Sequence, residues 1–161
     1  MVRLLNEFLL GFSRLETFAT LFVAIIDLSS GKLTYCSAGH PPAIMLRAKT
    51  GDLVMLDVQS GVVGAFKDMD YRNGQFQVEP GDILLLYTDG TTEARAADGS
   101  FFGEEGLHDA VMEELTHGFK GLLDRLLTHL DEFTGRNLDD DVAMVAVRFD
   151  SVGDTGSTKL S

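Results

Sequence analysis

The 161 residues suffice for one domain, and 45% hydrophobic with 24% charged residues is a composition able to bury a core. Acidic residues outnumber basic ones 25 to 13, and the resulting formal charge of −12 repels nucleic acid and anionic membrane surfaces, so neither is expected as a partner. No apolar run approaches the roughly 18 residues of a membrane span, and Asn6 and Glu7 interrupt the N-terminal apolar stretch where a signal peptide needs continuity, so the expected location is the cytoplasm.

Leu4, Leu5, Phe8, Leu9 and Phe12 recur at helical spacing and predict a helix over residues 3–12 with one buried stripe. The run TLFVAIIDL (20–28), the turn residues SSGK (29–32) and the alternating LTYCSA (33–38) predict a β-hairpin. Cys36, the only cysteine, lies in that alternating run and is expected to be buried as a small hydrophobe; no internal disulfide can form. A second hairpin is expected from AIMLR (43–47) and LVMLDV (53–58). The glycine-containing segment GVVGAF (61–66) has no regular pattern. GQFQV (74–78) reads as a short strand, EPGD (79–82) as a tight turn, and ILLLYT (83–88) as a strand apolar on both faces and therefore central. Helical spacing returns at Leu107, Val111 and Leu115, and again from Phe119 to Phe133, predicting two helices broken near Gly118. VAMVAVRF (142–149) is the last strand. The Gly, Ser and Thr-rich residues 151–161 read as a disordered tail after a domain spanning 1–150.

Hairpin-joined strands, about seven of them, with helices collected at the start and near the end indicate an α+β fold of two stacked, mostly antiparallel sheets flanked by helices. The central strand runs into Asp89-Gly90, and the last strand follows Asp139-Asp140-Asp141. If the two strands are antiparallel neighbours, the acidic positions meet at one sheet edge. Such a cluster is most readily stabilised by a divalent cation, and all-oxygen donors favour magnesium, manganese or calcium over zinc. Gly90 would let the backbone approach a bound water or phosphate closely. The alternative is structural: Asp-Gly is a common turn dipeptide, and an acidic run before a strand is usually a solvated loop.

Five ordered segments decide between them. LYTDGTTEA (86–94), FFGEEGL (101–107) and LDDDVAMVAV (138–147), preceded by TLFVAIIDLSSGKLTYCSAGHPPAIML (20–46) and GVVGAF (61–66), resemble the PPM-type metal-dependent protein serine/threonine phosphatases. More narrowly, they resemble the bacterial branch that controls sigma-factor partner switching and sporulation. The resemblance covers residues 4–149 and implies two antiparallel sheets flanked by helices around two manganese or magnesium ions. In such sites the metals orient and deprotonate a water that attacks the phosphorus of phosphoserine or phosphothreonine directly. Carried over by position, Asp89 is the metal-bridging aspartate, Asp140 a second metal ligand, and Gly90 and Asp141 adjoin them; Asp139 is left as a loop residue. The family usually has threonine where Ala143 stands.

The family also carries, upstream of the first hairpin, a strand and an Asp-x-x-Gly-His-Gly-like motif that complete the metal pair. This chain opens in the helix that follows that motif, so it is expected to be an incomplete domain lacking the first strands and helix, with weak or no activity of its own. An exposed sheet edge would then favour pairing into a homodimer. His40, in AGHPPA (38–43), has a side chain suited to protonating a leaving serine oxygen or binding phosphate, but turn chemistry between Gly39 and Pro41 explains the local sequence fully and favours a turn histidine. His108, His117 and His129 are expected on helix surfaces; Glu93 and Arg95, just past Asp89, are placed to support the site or face a partner, although a loop assignment suffices. The implied substrate is a phosphorylated anti-sigma-antagonist-like protein. The competing reading is a non-catalytic, phosphatase-like module that binds a regulator.

Overall fold

The computed structural model describes residues 1–12, 18–138 and 140–152. Along the chain these form α1 (Val2–Phe12), β1 (Leu21–Asp27), β2 (Lys32–Ala38), β3 (Ala43–Leu46), β4 (Leu53–Leu56), β5 (Gln59–Ser60), β6 (Gly74–Gln77), β7 (Ile83–Tyr87), α2 (Asp89–Thr92), α3 (Gly103–Leu115), α4 (Leu122–Thr134) and β8 (Met144–Arg148). The fold is α+β, with two four-stranded sheets: one of β1, β2, β5 and β6, the other of β3, β4, β7 and β8. Two elements escape the sequence pattern. They are β5, whose two residues run parallel to β2, and α2, four residues directly after the central strand. The tail expected over 151–161 lies outside the described residues from 153 onward. Two compact units are present, Met1–Ile83 with the residues from Phe149 on, and Leu84–Arg148.

In the first unit, β1 and β2 pair antiparallel from Leu21↔Ala38 to Asp27↔Lys32. Their turn is organised by Asp27, whose carboxylate accepts hydrogen bonds from Ser29 Oγ (2.6 Å), Ser30 Oγ (2.7 Å) and Ser29 N (3.0 Å). The serine hydroxyl bonds, with help from the backbone, hold this carboxyl at about 2. Gly31 closes the turn at φ +74°, and a Cβ there would stand 2.5 Å from Val78 O, so the residue must be glycine. β2 is covered along most of its length, and Cys36 is buried with Val2, Ala38 and Val63 against Leu9, Leu21, Val23 and Tyr71. Burial pushes its thiol pKa up, as expected of a core cysteine.

The buried stripe of α1 is not the expected one. Leu4 and Phe8 are 69% and 56% exposed, whereas Val2 and the polar Asn6 are buried. Asn6 occupies the core face because its amide matches backbone groups of the irregular 61–66 segment: Nδ2 donates to Phe66 O (2.9 Å) and Oδ1 accepts from Gly64 N (2.7 Å). An apolar side chain there would remove the partner of both part-buried groups. The same segment exchanges two backbone bonds of 2.8 Å between Val63 and Ala19 and accepts Tyr71 Oη on Val62 O (3.2 Å). The stretch without a sequence pattern is thus tied at three points.

β3 and β4 form the second hairpin in register Ala43↔Leu56 to Leu46↔Leu53, with β3 wholly buried. The EPGD turn before β7 is built on Asp82, which is fully buried. Its carboxylate accepts from Glu79 N (2.8 Å) and Ala48 N (3.0 Å) and pairs with Arg47 Nη1 at 3.0 Å. Arg47 is itself fixed by Gln77 O (2.6 Å), by Glu79 (3.2 Å) and by the Phe76 ring beneath it.

In the second unit, α3 and α4 bury Leu107, Ala110 and Val111 on one side and Leu122, Leu126 and Leu130 on the other. The break falls where expected, with Gly118 and Gly121 both at positive φ. His129 is not simply a surface residue. Its Nε2 lies 2.8 Å from Oε1 of the buried Glu114, whose other carboxylate oxygen pairs with Arg125. Arg125 also donates to Glu114 O, Gly118 O and Lys120 O, closing the inter-helix connection. Burial raises the Glu114 pKa, but the bonds from His129 and Arg125 outweigh it and hold the carboxyl below its ordinary value. Helical periodicity places each residue on its own helix; it carries no signal for this pairing across 15 positions.

Candidate functional site

β7 is buried at Ile83, Leu84, Leu85 and Tyr87, as a run apolar on both faces requires. Gly81 N donates to Phe149 O (2.6 Å) and Phe149 N to Asp82 O (2.9 Å) near its start, and Thr88 N donates to Ala143 O (3.0 Å) past its end. The neighbouring strands β7 and β8 therefore run antiparallel, the arrangement on which the meeting of the acidic segments depends.

The juncture is fastened by a residue that sequence reasoning passed over. Thr88 Oγ1 donates to Asp141 O (3.0 Å) and accepts from Ala143 N (3.0 Å), stapling the approach to β8 onto the exit from β7. Engaged in this way, the hydroxyl makes no capping bond to α2, although Thr88 is the N-cap. The signal was a β-branched hydroxyl residue at a strand terminus, readable only once its neighbouring strand is known. The usual family threonine at position 143 is not needed for this staple, because Ala143 contributes through its backbone.

Gly90 is buried, and a Cβ on it would stand 2.5 Å from Asp141 O and 3.4 Å from the Asp140 Cβ. The close approach that glycine permits here is thus of two protein segments: it brings residues 89–90 against 140–141. The carboxylates of Asp89, Asp140 and Asp141 are on exposed residues. Asp89 Oδ1 accepts from Gly90 N (3.1 Å) and Asp140 Oδ1 from Asp141 N (2.8 Å). Their Oδ2 atoms have no hydrogen bond or ion pair among the described residues. Exposed oxygen donors on two abutting backbone segments suit a hard divalent cation. Among the described residues no group of three His, Cys, Asp or Glu side chains has the arrangement of a metal site. Asp139 lies outside the described residues.

Flanking Asp89 in sequence are two hydroxyls with no hydrogen-bond partner among the described residues, Tyr87 Oη and Thr91 Oγ1, on side chains buried to 2% and 0% exposure. Burial, and secondarily the charge of Glu104, pushes the Tyr87 phenol up to about 12, so it remains protonated. His40 belongs to the other unit. Its Nδ1 lies 2.8 Å from Pro41 O, its ring is tilted on Phe22 at 5.9 Å, and its carbonyl accepts Ser37 Oγ (3.0 Å). These are the contacts of a turn histidine.

The two sheets and the helices among the described residues give the fold of the PP2C, or PPM, class. The structure resembles the SiaA-PP2C domain of Pseudomonas aeruginosa with a TM-score of 0.78 at 20% identity, over 90% of this chain and 58% of that one. It resembles the phosphatase domain of the cell fate determinant SpoIIE from Bacillus subtilis with a TM-score of 0.62 at 21% identity, over 92% and 65%. Residues 1–150 match the family model of Stage II sporulation protein E (SpoIIE), and the chain belongs to that family. It is 35% identical to protein IcfG of Synechocystis over 91% of its length and 28% identical to the phosphoserine phosphatase RsbU of Bacillus subtilis over 81%. It spans 23% and 39% of those two proteins, well under half of either.

Proposed function

We propose that this chain is the part of a phosphoprotein phosphatase that carries one side of its metal site, acting on phosphoserine or phosphothreonine in a bacterial sigma-factor partner-switching pathway. The observation that carries this reading is the juxtaposition of Asp89-Gly90 with Asp140-Asp141, locked by Thr88 and permitted by Gly90. Asp89 and Asp140 would hold manganese or magnesium through their outward oxygens, with Asp141 adjoining. When bound, the ions supply the charge that acidifies a water for direct attack on phosphorus. The protein's own part is to hold the segments carrying the two carboxylates against each other and keep their approach free of side-chain bulk. His40, in the other unit, remains a candidate proton donor on its side-chain chemistry alone.

Two carboxylates fall short of the six oxygen donors magnesium prefers, so the isolated 161 residues should bind metal weakly and turn over slowly. The substrate proposed is a phosphorylated anti-sigma-antagonist-like protein, encountered in the cytoplasm; no helix among the described residues is long and apolar enough to cross a membrane. The test is calorimetric titration with manganese together with manganese-dependent hydrolysis of a phenyl phosphate ester, for the unaltered chain and Asp89→Asn. Weak binding and slow hydrolysis, both abolished by the substitution, are expected. Undiminished binding in Asp89→Asn would remove the metal assignment, and fast hydrolysis by the unaltered chain would show that these two carboxylates suffice for turnover.

A further inference from the structure

Six positions past Asp89 the chain makes a short, stiff loop with an arginine on its outer face. Ala94 anchors it at 4% exposure, and Phe102 N donates to Ala94 O (2.8 Å). Arg95 and Phe101 are bridged as an antiparallel pair, and Ala96 N donates to Ser100 O (2.9 Å). At the tip, Asp98 accepts from Ser100 Oγ (2.7 Å) and Ser100 N (2.9 Å), which holds its carboxyl below the ordinary value. That carboxylate is turned into its own turn. The Arg95 guanidinium instead lies over the Phe101 ring, 3.9 Å from its centroid, and Phe101 is 51% exposed.

Two other arginines with fixed heads are neutralised: Arg47 by Asp82 and Glu79, Arg125 by Glu114. Arg95 has no carboxylate within 4.0 Å among the described residues, although acidic residues outnumber basic ones almost two to one in this chain. An arginine stacked on an aromatic ring is pre-oriented with its N–H edge outward, so it binds a planar or tetrahedral oxyanion at little further entropic cost. With three helical rises through α2 and three extended steps beyond it, the Arg95 Cα lies at most about 15 Å from that of Asp89. At about 3.3 Å per extended residue, that corresponds to roughly three to five positions along a bound peptide.

We propose that Arg95, held by Phe101, is a specificity-determining residue that pairs with an acidic side chain a few positions from the phosphorylated residue of the protein substrate. The idea rests on the phosphatase reading of Asp89 and Asp140 for the location of the phosphoryl group. A chain of net charge −12 repels an anionic phosphoprotein at long range, so a local, unneutralised cation beside the site is where acidic flanks gain a favourable contact.

The test is fluorescence anisotropy of labelled phosphoserine peptides flanked at positions three to five by glutamate or by alanine, at low ionic strength with manganese, plus the unphosphorylated glutamate peptide. The glutamate-flanked phosphopeptide should bind about fivefold more tightly than the alanine one. Arg95→Ala should erase that preference without lowering Tm, Phe101→Leu should reduce it, and Arg95→Glu should transfer it to a lysine-flanked peptide. A wild-type chain without the preference, or binding neither peptide, overturns the proposal, as does a preference that survives in Arg95→Ala. Equal weakening of both phosphopeptides by Arg95→Ala also overturns it, since the residue would then serve the phosphoryl group. If phosphorylated and unphosphorylated glutamate peptides bind equally and the preference still depends on Arg95, the phosphatase reading falls, and with it the placement of the acidic side chain relative to a phosphorylated residue; only the Arg95–carboxylate contact stands.

Discussion

The strand β7 has an aspartate at each end, and the two are used in opposite ways. Asp82, before it, is fully buried and accepts hydrogen bonds from Ala48 N and Glu79 N beside its ion pair with Arg47. Asp89, after it, is exposed, and one of its oxygens is bonded only to the adjacent Gly90 N. A carboxylate desolvated among matched donors is a structural member whose loss strands several groups at once. One left at the rim with oxygen lone pairs outward contributes little to folding and remains available to a ligand. Stability and chemistry are thus divided between the two ends of one strand.

Breaking the buried end should cost most. Asp82→Ala leaves two backbone amides without acceptors and removes the buried partner of Arg47, which keeps Glu79, and a loss of about 3–5 kcal/mol is expected in urea unfolding. Asn6→Ala, which leaves Gly64 N and Phe66 O without partners, should cost about 2–3 kcal/mol and speed hydrogen exchange at Gly64. At the other end, Thr88→Val removes the staple between β7 and β8. About 1 kcal/mol of stability should be lost, with a larger fall in manganese affinity by calorimetry, because 140–141 is no longer held against 89–90. Thr91→Val replaces a buried, unpartnered hydroxyl by a methyl and should leave stability within about 0.5 kcal/mol or raise it slightly.

The smallest effect is the pH response of the Asp27 turn. Its carboxyl is held at about 2 in the folded chain, below its ordinary value, so the unfolded chain binds more protons between the two values. The turn's contribution is therefore present above pH 4 and lost as pH falls toward 2. Asp27→Asn should flatten the dependence of the urea midpoint on pH in that window; an unchanged slope would show that the serine bonds do not persist in solution.

Most of the fold could be read from the chain because its elements announce themselves locally. The alternation of 33–38, the two-faced apolar run of 83–88 and the helical spacings on either side of Gly118 each sit close to the observed elements. The exceptions are short or double-faced. β5 has two residues and α2 four, too few for any period to show. α1 carries apolar residues over so much of its surface that Leu4 and Phe8 looked like the core stripe, while the face turned inward bears Val2 and Asn6. At the site, the meeting of 89–90 with 140–141 was inferable from strand order, whereas Thr88 was not.

By itself the sequence determined the element types, the α+β class, the family pattern and the aspartates at the exit of the central strand and the entrance to the last. These follow from local periodicity, turn chemistry and an ordered set of motifs. Only the tertiary structure decided that Asn6 faces inward, that Thr88 locks two strands, that His129 meets Glu114, and that Arg95 lies on Phe101 without a carboxylate partner. Each of those depends on which backbone groups and charges arrive opposite a side chain once the chain has folded. Periodicity along the chain records the face of an element, not what that face will meet.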